Sequence, residues 1–307
     1  MKLALIGCGA IARAQHVPAL SGDTGFELVA TADPHARIEG FAGHHYADHQ
    51  EMLVAEPAVE AVSVASPTGT HFAVARDALL AGRHVLLEKP PATTLGEVVE
   101  LQRIAAARGK VLVTSFHAQH NAAVERAREI LEGHPPPTGV SIDWREDFER
   151  WHGGQTWPWQ PGGFGVFDPG INALSVLCRV MAGAEFRVES AHLRLPPGAA
   201  TPAAVDMRLA WEGGEGDAAF EWRRGGTDVW NVTLRGAFGE LLIRGVRTLL
   251  RDGVAILPEG PNHEYDGVYR AFRAAIGAGR SEVSQRELRI IEDAIAIASV
   301  EHGGEAL

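Results

Sequence analysis

Asp168 and Asn172 stand four residues apart in "FDPGINALS", residues 167–175. That spacing is about one helical turn, so both side chains can face the same way. A carboxylate accepts hydrogen bonds and a carboxamide both donates and accepts, a pairing suited to hydroxyl groups. Asn172, however, cannot remove a proton. If this face does chemistry on an alcohol, the base lies elsewhere. Asp168 also reads simply as a helix N-cap.

Lys89 is the first candidate for that base. It ends "HVLLEKPP" (84–91), an apolar run closed by Glu88, Lys89, Pro90 and Pro91. A lysine partly removed from water can take a proton as the neutral amine. Pro90 can hold a cis peptide that aims the side chain. Asp168 is the second candidate, and a carboxylate is the weaker base for an alcohol unless burial raises it. The expectation is Lys89 as acid–base group with Asp168 as its partner and as an orienter of substrate. Taken locally, Lys89 reads equally as a surface lysine at a strand end.

The elements that must position these groups alternate through the first third of the chain. Apolar runs at 2–7, 26–33, 58–66, 84–89 and 110–117 read as strands. Helical spacing fills about 10–21, 71–82 and 94–109, with Thr93 or Thr94 as an N-cap and Gly109 as a stop. Such alternation predicts an α/β fold with an N-terminal, doubly wound parallel sheet of the Rossmann type. From about 138 the pattern changes to longer alternating strands. It predicts an α+β domain with a large, mostly antiparallel sheet, helices near 124–133 and 170–181, and two closing helices over 265–279 and 284–303. The expected domains are 1–118 and 119–307, with the last helix able to pack back on the first domain.

"IGCGAIA" (6–12) follows the first strand and opens a helix, the context in which a G-x-G-x-x-A pattern is informative. Gly7 permits the turn, Gly9 lets a pyrophosphate approach the backbone, and small Ala12 lets the helix pack closely. The N–H groups of Ala10, Ile11 and Ala12 can face phosphates. Asp33 ends the second strand, where a carboxylate accepts hydrogen bonds from ribose hydroxyls and repels a 2′-phosphate. NAD is therefore favoured over NADP, although His35 and Arg37 partly offset the repulsion. Ser66, Pro67 and His71 in "SPTGTH", with Glu88 and Lys89, lie at strand C-terminal ends and line the expected cofactor site. For Asp33 and His71 the simpler reading is a turn or a cap.

The net charge of −11, from 28 basic and 39 acidic residues, gives no general attraction to nucleic acid or anionic lipid. No apolar run reaches the length of a membrane span, and the N-terminus lacks the form of a signal peptide. Cys8 and Cys178 form no CxxC motif, and a reducing, cytoplasmic setting is expected. The densest histidine group, His44, His45, Asp48 and His49, lacks a ligand pattern and reads as a surface loop, so no metal is expected. Four of the seven tryptophans lie between 144 and 159, within "DWREDFERWHGGQTWPWQ". Planar polar groups beside aromatic faces suit a sugar. Trp157 and Trp159 read equally as core anchors, and Trp144 as facing the core.

Together, "GCGAIA", "EKPP" and the Asp-x-x-x-Asn pair resemble the glucose–fructose oxidoreductase / inositol dehydrogenase / MocA (Gfo/Idh/MocA) family along essentially the whole chain. The resemblance implies hydride transfer between a sugar or polyol carbon and a nicotinamide, and a homodimer or homotetramer formed through an open C-terminal sheet. "REDFERWHGGQTWPWQPGGFGVFDPGINALS" and "DVWNVTLRG" are most similar to the L-arabinose and D-galactose 1-dehydrogenases within it. That implies oxidation of an aldopyranose at C1 to its lactone, with D-fucose also accepted. Lys89 then matches the signature lysine, Asp168 the substrate carboxylate, and Asn172 the asparagine found where many members have histidine. His117, Glu146, Trp151 and Trp230 fall where that group lines its sugar pocket. One departure is Asp33-Pro34 where some arabinose enzymes have Ser-Arg and accept NADP. The alternatives are a dehydrogenase of D-xylose or D-glucose, and a non-catalytic sugar-responsive protein on the same fold.

Overall fold

The computed structural model describes residues 1–303. Its contacts separate into two units. The first holds Met1–Phe116 together with Tyr265–Gln285, and the second holds His117–Glu264 and the chain from Arg286 onward. The expected contiguous split at 118 thus differs at one place. Residues 265–285 fold with the first unit, and the last helix belongs to the second.

In the first unit β1 (Lys2–Ile6) leads through the glycine turn into a π-helical turn, Ala12–His16, and α1 (Val17–Leu20). There follow β2 (Glu27–Ala32), β3 (His44–Tyr46), α2 (His49–Ala55), β4 (Ala61–Val64), α3 (Thr68–Leu80), β5 (His84–Glu88), α4 (Leu95–Arg108) and β6 (Leu112–Ser115). The strands form one parallel sheet in the order β3-β2-β1-β4-β5-β6. Its central strands are buried along almost their whole length and mostly apolar, because helices cover both faces. Thr94 caps α4 in a capping box with Glu97, and Gly109 ends it in the left-handed conformation. The stretch read as a histidine-rich loop is ordered differently. His44 and His45 lie in edge strand β3, and Asp48 caps α2 by accepting from the amides of Gln50 and Glu51.

The second unit contains α5 (Ala122–Glu132), β7 (Gly139–Asp147), α6 (Phe148–His152), α7 (Phe167–Val180), β8 (Arg187–Leu195), β9 (Ala204–Trp211), β10 (Gly214–Arg223), β11 (Val229–Gly236), β12 (Gly239–Arg244), β13 (Thr248–Arg251) and β14 (Val254–Leu257). Helix α8 (Glu264–Ala278) returns to the first unit, where Tyr265, Val268, Tyr269 and Phe272 pack with Leu3, Phe26 and Leu86. Residues beyond it extend the first sheet, where Glu282 bridges Val113. Helix α9 (Arg286–Ile297) and β15 (Ser299–His302) complete the second unit.

Its nine-stranded sheet runs β14-β13-β12-β11-β7-β10-β9-β8-β15, mostly antiparallel, with parallel pairs β7/β10 and β8/β15. Strand β15 was expected to be helical. "SVEH" instead pairs with the exposed edge of β8, where main-chain pairing outweighs continuation of α9. Among the described residues, no helix is long and apolar enough to cross a membrane.

Candidate active site

The candidate residues fall into two sets, one in each unit. In the first unit the glycine turn is shaped by contact. Gly7 has φ +95°, and a Cβ there would lie 2.6 Å from the backbone of Ala65 and Ser66. Only glycine fits. A Cβ on Gly9 would meet nothing within 4 Å, so its backbone is open to an incoming group. The Gly9 carbonyl accepts the Arg13 amide at 3.2 Å, Ala10 and Ile11 are exposed, and Ala12 is buried against the sheet. This cradle fits the pyrophosphate of a dinucleotide.

The Asp33 carboxylate accepts three backbone amides, from Cys8 at 2.7 Å and from His35 and Ala36 at 2.8 Å each. Burial alone would raise this carboxyl, but the three amides and the nearby His35 hold it below its ordinary value. A carboxylate that gives up its proton more readily than an ordinary aspartate therefore stands just past the end of β2. His35 itself is exposed, with its side chain open to solvent. Burial and the Asp33 charge push the Cys8 thiol up to about 11, which makes it a poor nucleophile.

Pro67 precedes the first turn of α3, and the Ser66 hydroxyl pairs with that of Thr70 at 2.7 Å. His71 is 1% exposed, and its two ring nitrogens lie 2.8 Å from the carbonyl oxygens of Pro90 and Ser66. It braces the loops after β4 and β5 from behind, rather than offering a ring to the surface. Glu88 is buried too. Its carboxylate meets His16 at 3.1 Å, the Tyr265 hydroxyl at 3.0 Å and the Lys89 amide at 3.2 Å. His16 continues the network to Tyr269 at 2.8 Å and Ser63 at 3.2 Å. Lys89, half-buried, follows at the strand end, and its peptide to Pro90 is cis.

In the second unit the sheet register assembles the other set. Trp230 on β11 lies opposite Trp144 on β7, and Trp222 on β10 lies opposite Glu146. The Trp144 indole donates to Glu146 at 3.1 Å and stacks on Trp230 with ring centroids 6.0 Å apart. Trp151, 39% exposed, donates to Asp228 at 3.1 Å and tilts against Trp230.

Helix α7 brings Asp168 and Asn172, both buried, onto this sheet. Gly170 between them makes the approach possible, because a Cβ there would lie 2.8 Å from the Phe220 ring. The preceding loop is equally tight. A Cβ on Gly165 would lie 2.2 Å from the Pro202 carbonyl oxygen. Asp168 lies within the first turn of α7, where Val166 and not Asp168 holds the N-cap position. The Oδ1 of Asn172 is buried with no hydrogen-bond partner among the described residues, and so are the indole nitrogens of Trp222 and Trp230. Such orphaned groups carry a cost that a polyhydroxyl ligand would remove.

His117 belongs to a different set of contacts. Its Nδ1 lies 2.6 Å from Glu264, whose other oxygen accepts from Asn121 at 2.6 Å. Sequence reasoning missed His152. Its Nε2 lies 3.5 Å from Asp168 Oδ2, and its ring sits among Phe148, Trp157 and Trp222. A lone imidazole inside the tryptophan-rich tract was the available signal.

The comparisons with known proteins give the family. Residues 1–116 match the oxidoreductase family with an NAD-binding Rossmann fold that unites glucose–fructose oxidoreductase, inositol dehydrogenase and MocA. Galactose 1-dehydrogenase of Pseudomonas fluorescens is 36% identical over 97% of this chain and 96% of its own. The crystal structure of D-galactose-1-dehydrogenase from Rhizobium etli superposes with a TM-score of 0.90 at 36% identity, covering 99% of this chain and 97% of that one. A 3-ketoreductase from Actinomadura kijaniata, solved with NADP, shares the fold with a TM-score of 0.81 at 21% identity, covering 99% of both chains.

Proposed function

This chain belongs to the Gfo/Idh/MocA family of NAD-binding oxidoreductases, and we propose that within it the chain oxidises an aldopyranose at C1 to the lactone. The observation that carries this reading is the similarity to galactose 1-dehydrogenase over nearly the full length of both chains. D-Galactose is accordingly the first substrate. L-Arabinose and D-fucose share its ring configuration from C2 to C4; L-arabinose lacks the hydroxymethyl group on C5, and D-fucose carries a methyl group in its place. A single hydroxymethyl group is worth about 1–3 kcal/mol of discrimination in an apolar pocket, so all three are expected substrates.

When bound, the nicotinamide cofactor accepts the hydride that leaves C1. The chain's own residues bind, orient and move a proton. Gly9 and the amides at Ala10, Ile11 and Ala12 are assigned to the pyrophosphate, and Asp33 to the adenosine ribose. An ionised Asp33 supports NAD over NADP, since a 2′-phosphate beside it meets like charge. Asn172 Oδ1 is suited to accept from a sugar hydroxyl, and the indole donors of Trp222 and Trp230 to give to one. Lys89 and Asp168 are assigned to the C1 hydroxyl, and Glu146 and Trp151 to the remainder of the ring.

The test is formation of reduced cofactor at 340 nm with D-galactose, L-arabinose, D-fucose, D-xylose and D-glucose, each with NAD and NADP. The expected result is turnover with the first three and a higher kcat/KM with NAD. No turnover with any aldose would overturn the reading.

A further inference from the structure

Resting on the aldose-oxidation reading, we infer that His16 is a positioning residue for Lys89: it fixes the Glu88 carboxylate, and Glu88 fixes the main chain from which Lys89 departs. The ladder between β5 and β6 ends at Glu88, opposite Ser115. Immediately beyond it the Lys89 amide donates to Glu88 Oε2 at 3.2 Å. The carboxylate thus takes over from the sheet at the residue assigned to the C1 hydroxyl. Its hold is only as firm as the side chain that carries it, and an untethered glutamate samples several rotamers.

Two donors hold this one. His16 Nε2 lies 3.1 Å from Glu88 Oε1, and the Tyr265 hydroxyl donates to the same oxygen at 3.0 Å. An ionised carboxylate only accepts, so Nε2 carries a hydrogen. Nδ1 can then accept, and it faces the hydroxyls of Tyr269 at 2.8 Å and Ser63 at 3.2 Å. Burial and the Glu88 charge push the Tyr269 hydroxyl up, so it keeps its proton and stays a donor. The imidazole ring is itself confined. It is 0% exposed and lies edge-on to Tyr265 at 4.9 Å and to Tyr269 at 5.9 Å. A buried polar network whose members satisfy one another is rigid, and removing one donor leaves its partner uncompensated.

The network joins segments far apart in sequence, all of them in the first unit. Tyr265 and Tyr269 stand one turn apart on α8, and Ser63 lies on β4. His16 ends the π-helical turn Ala12–His16, which begins at the glycine cradle assigned to the pyrophosphate. One short segment therefore carries the phosphate cradle at its start and the imidazole that sets the lysine strand at its end. Cofactor and base are brought into register with each other through this single turn.

The experiment compares wild type with His16→Leu, His16→Gln, His16→Asn and Tyr265→Phe, recording kcat, KM and the exchange of the Lys89 amide by NMR. A glutamine places its amide nitrogen near the site of Nε2, and an asparagine places its own near that of Nδ1. His16→Leu and His16→Asn are expected to lower kcat about 10- to 100-fold with little change in KM for D-galactose, because they misplace the base. His16→Gln should recover most of the loss. A role in stability alone would not separate Gln from Asn in kcat. Exchange of the Lys89 amide should quicken about 10-fold or more in His16→Leu and His16→Asn, while Val85 and Leu86 within β5 keep their rates. Wild-type kcat in His16→Leu, or equal losses in His16→Gln and His16→Asn, would overturn the inference. A wild type inactive on every aldose would overturn the function, and unchanged Lys89 exchange in His16→Leu would overturn the inference alone. If the His16 variants do not fold, Tyr265→Phe carries the same two readouts, since it removes one oxygen and keeps the ring. Wild-type kcat and Lys89 exchange in that variant would then overturn the inference.

Discussion

The Asp33 carboxylate accepts the backbone N–H of Cys8 at 2.7 Å, which ties the end of β2 to the middle of the glycine turn. One side chain therefore shapes the loop expected to meet the pyrophosphate and supplies the charge expected to meet the ribose. Asp33→Ser is predicted to lower kcat/KM with NAD and raise it with NADP, shifting their ratio at least 10-fold. Steady-state kinetics with both cofactors checks this, and an unchanged ratio would remove Asp33 from the selectivity argument.

Gly7 and Gly9 should separate stability from cofactor binding. Gly7→Ala puts a methyl 2.6 Å from backbone atoms at a positive φ, so it is predicted to destabilise the fold by roughly 2 kcal/mol or more. Gly9→Ala meets no protein atom within 4 Å and should melt close to wild type. Its methyl occupies the approach to the pyrophosphate, so dinucleotide affinity should fall at least 10-fold. Thermal denaturation and titration calorimetry distinguish the two.

Asn172→Leu removes a buried acceptor that lacks a partner among the described residues. Stability should change by less than about 1 kcal/mol, because no protein hydrogen bond is lost through that atom. The kcat/KM for D-galactose is expected to fall about 10- to 100-fold, the size of a hydrogen bond or two to substrate. A melt shifted by much more, with kinetics intact, would assign Asn172 a purely structural role.

Glu264 gives a pH-dependent contribution to stability. Burial would raise its carboxyl, yet the His117 charge, the hydrogen bond from His117 and that from Asn121 hold it below the ordinary glutamate value. A depressed folded-state value stabilises above the unfolded value, and the gain is lost as pH falls through the folded one. Wild type should therefore exceed Glu264→Gln in melting temperature near pH 7, with the difference shrinking below about pH 4. A difference independent of pH would contradict the assignment.

Much of the first unit was legible because its sheet is covered on both faces. Apolar runs mark its strands, and local signals such as the Thr94–Glu97 capping box and left-handed Gly109 mark the helix ends. Strand β15 and the placement of 265–285 were not legible, since both depend on which distant edge or face remains to be covered. The candidate site was half legible. Asp168 and Asn172 share a helix, so spacing reveals them. His152 ends α6 and Asp168 lies in the first turn of α7, so their contact depends on how the intervening loop folds, and no local spacing encodes that.

The return of Tyr265–Gln285 to the first unit carries a consequence for biosynthesis. As the chain leaves the ribosome, the first 116 residues emerge early, yet Leu3, Phe26 and Leu86 wait for Tyr269 and Phe272 to cover them. The dinucleotide half thus cannot finish folding until nearly the whole second unit has been synthesised. A nascent chain arrested before Tyr265 would display a bare apolar face and attract chaperones, whereas one extended past Gln285 would not.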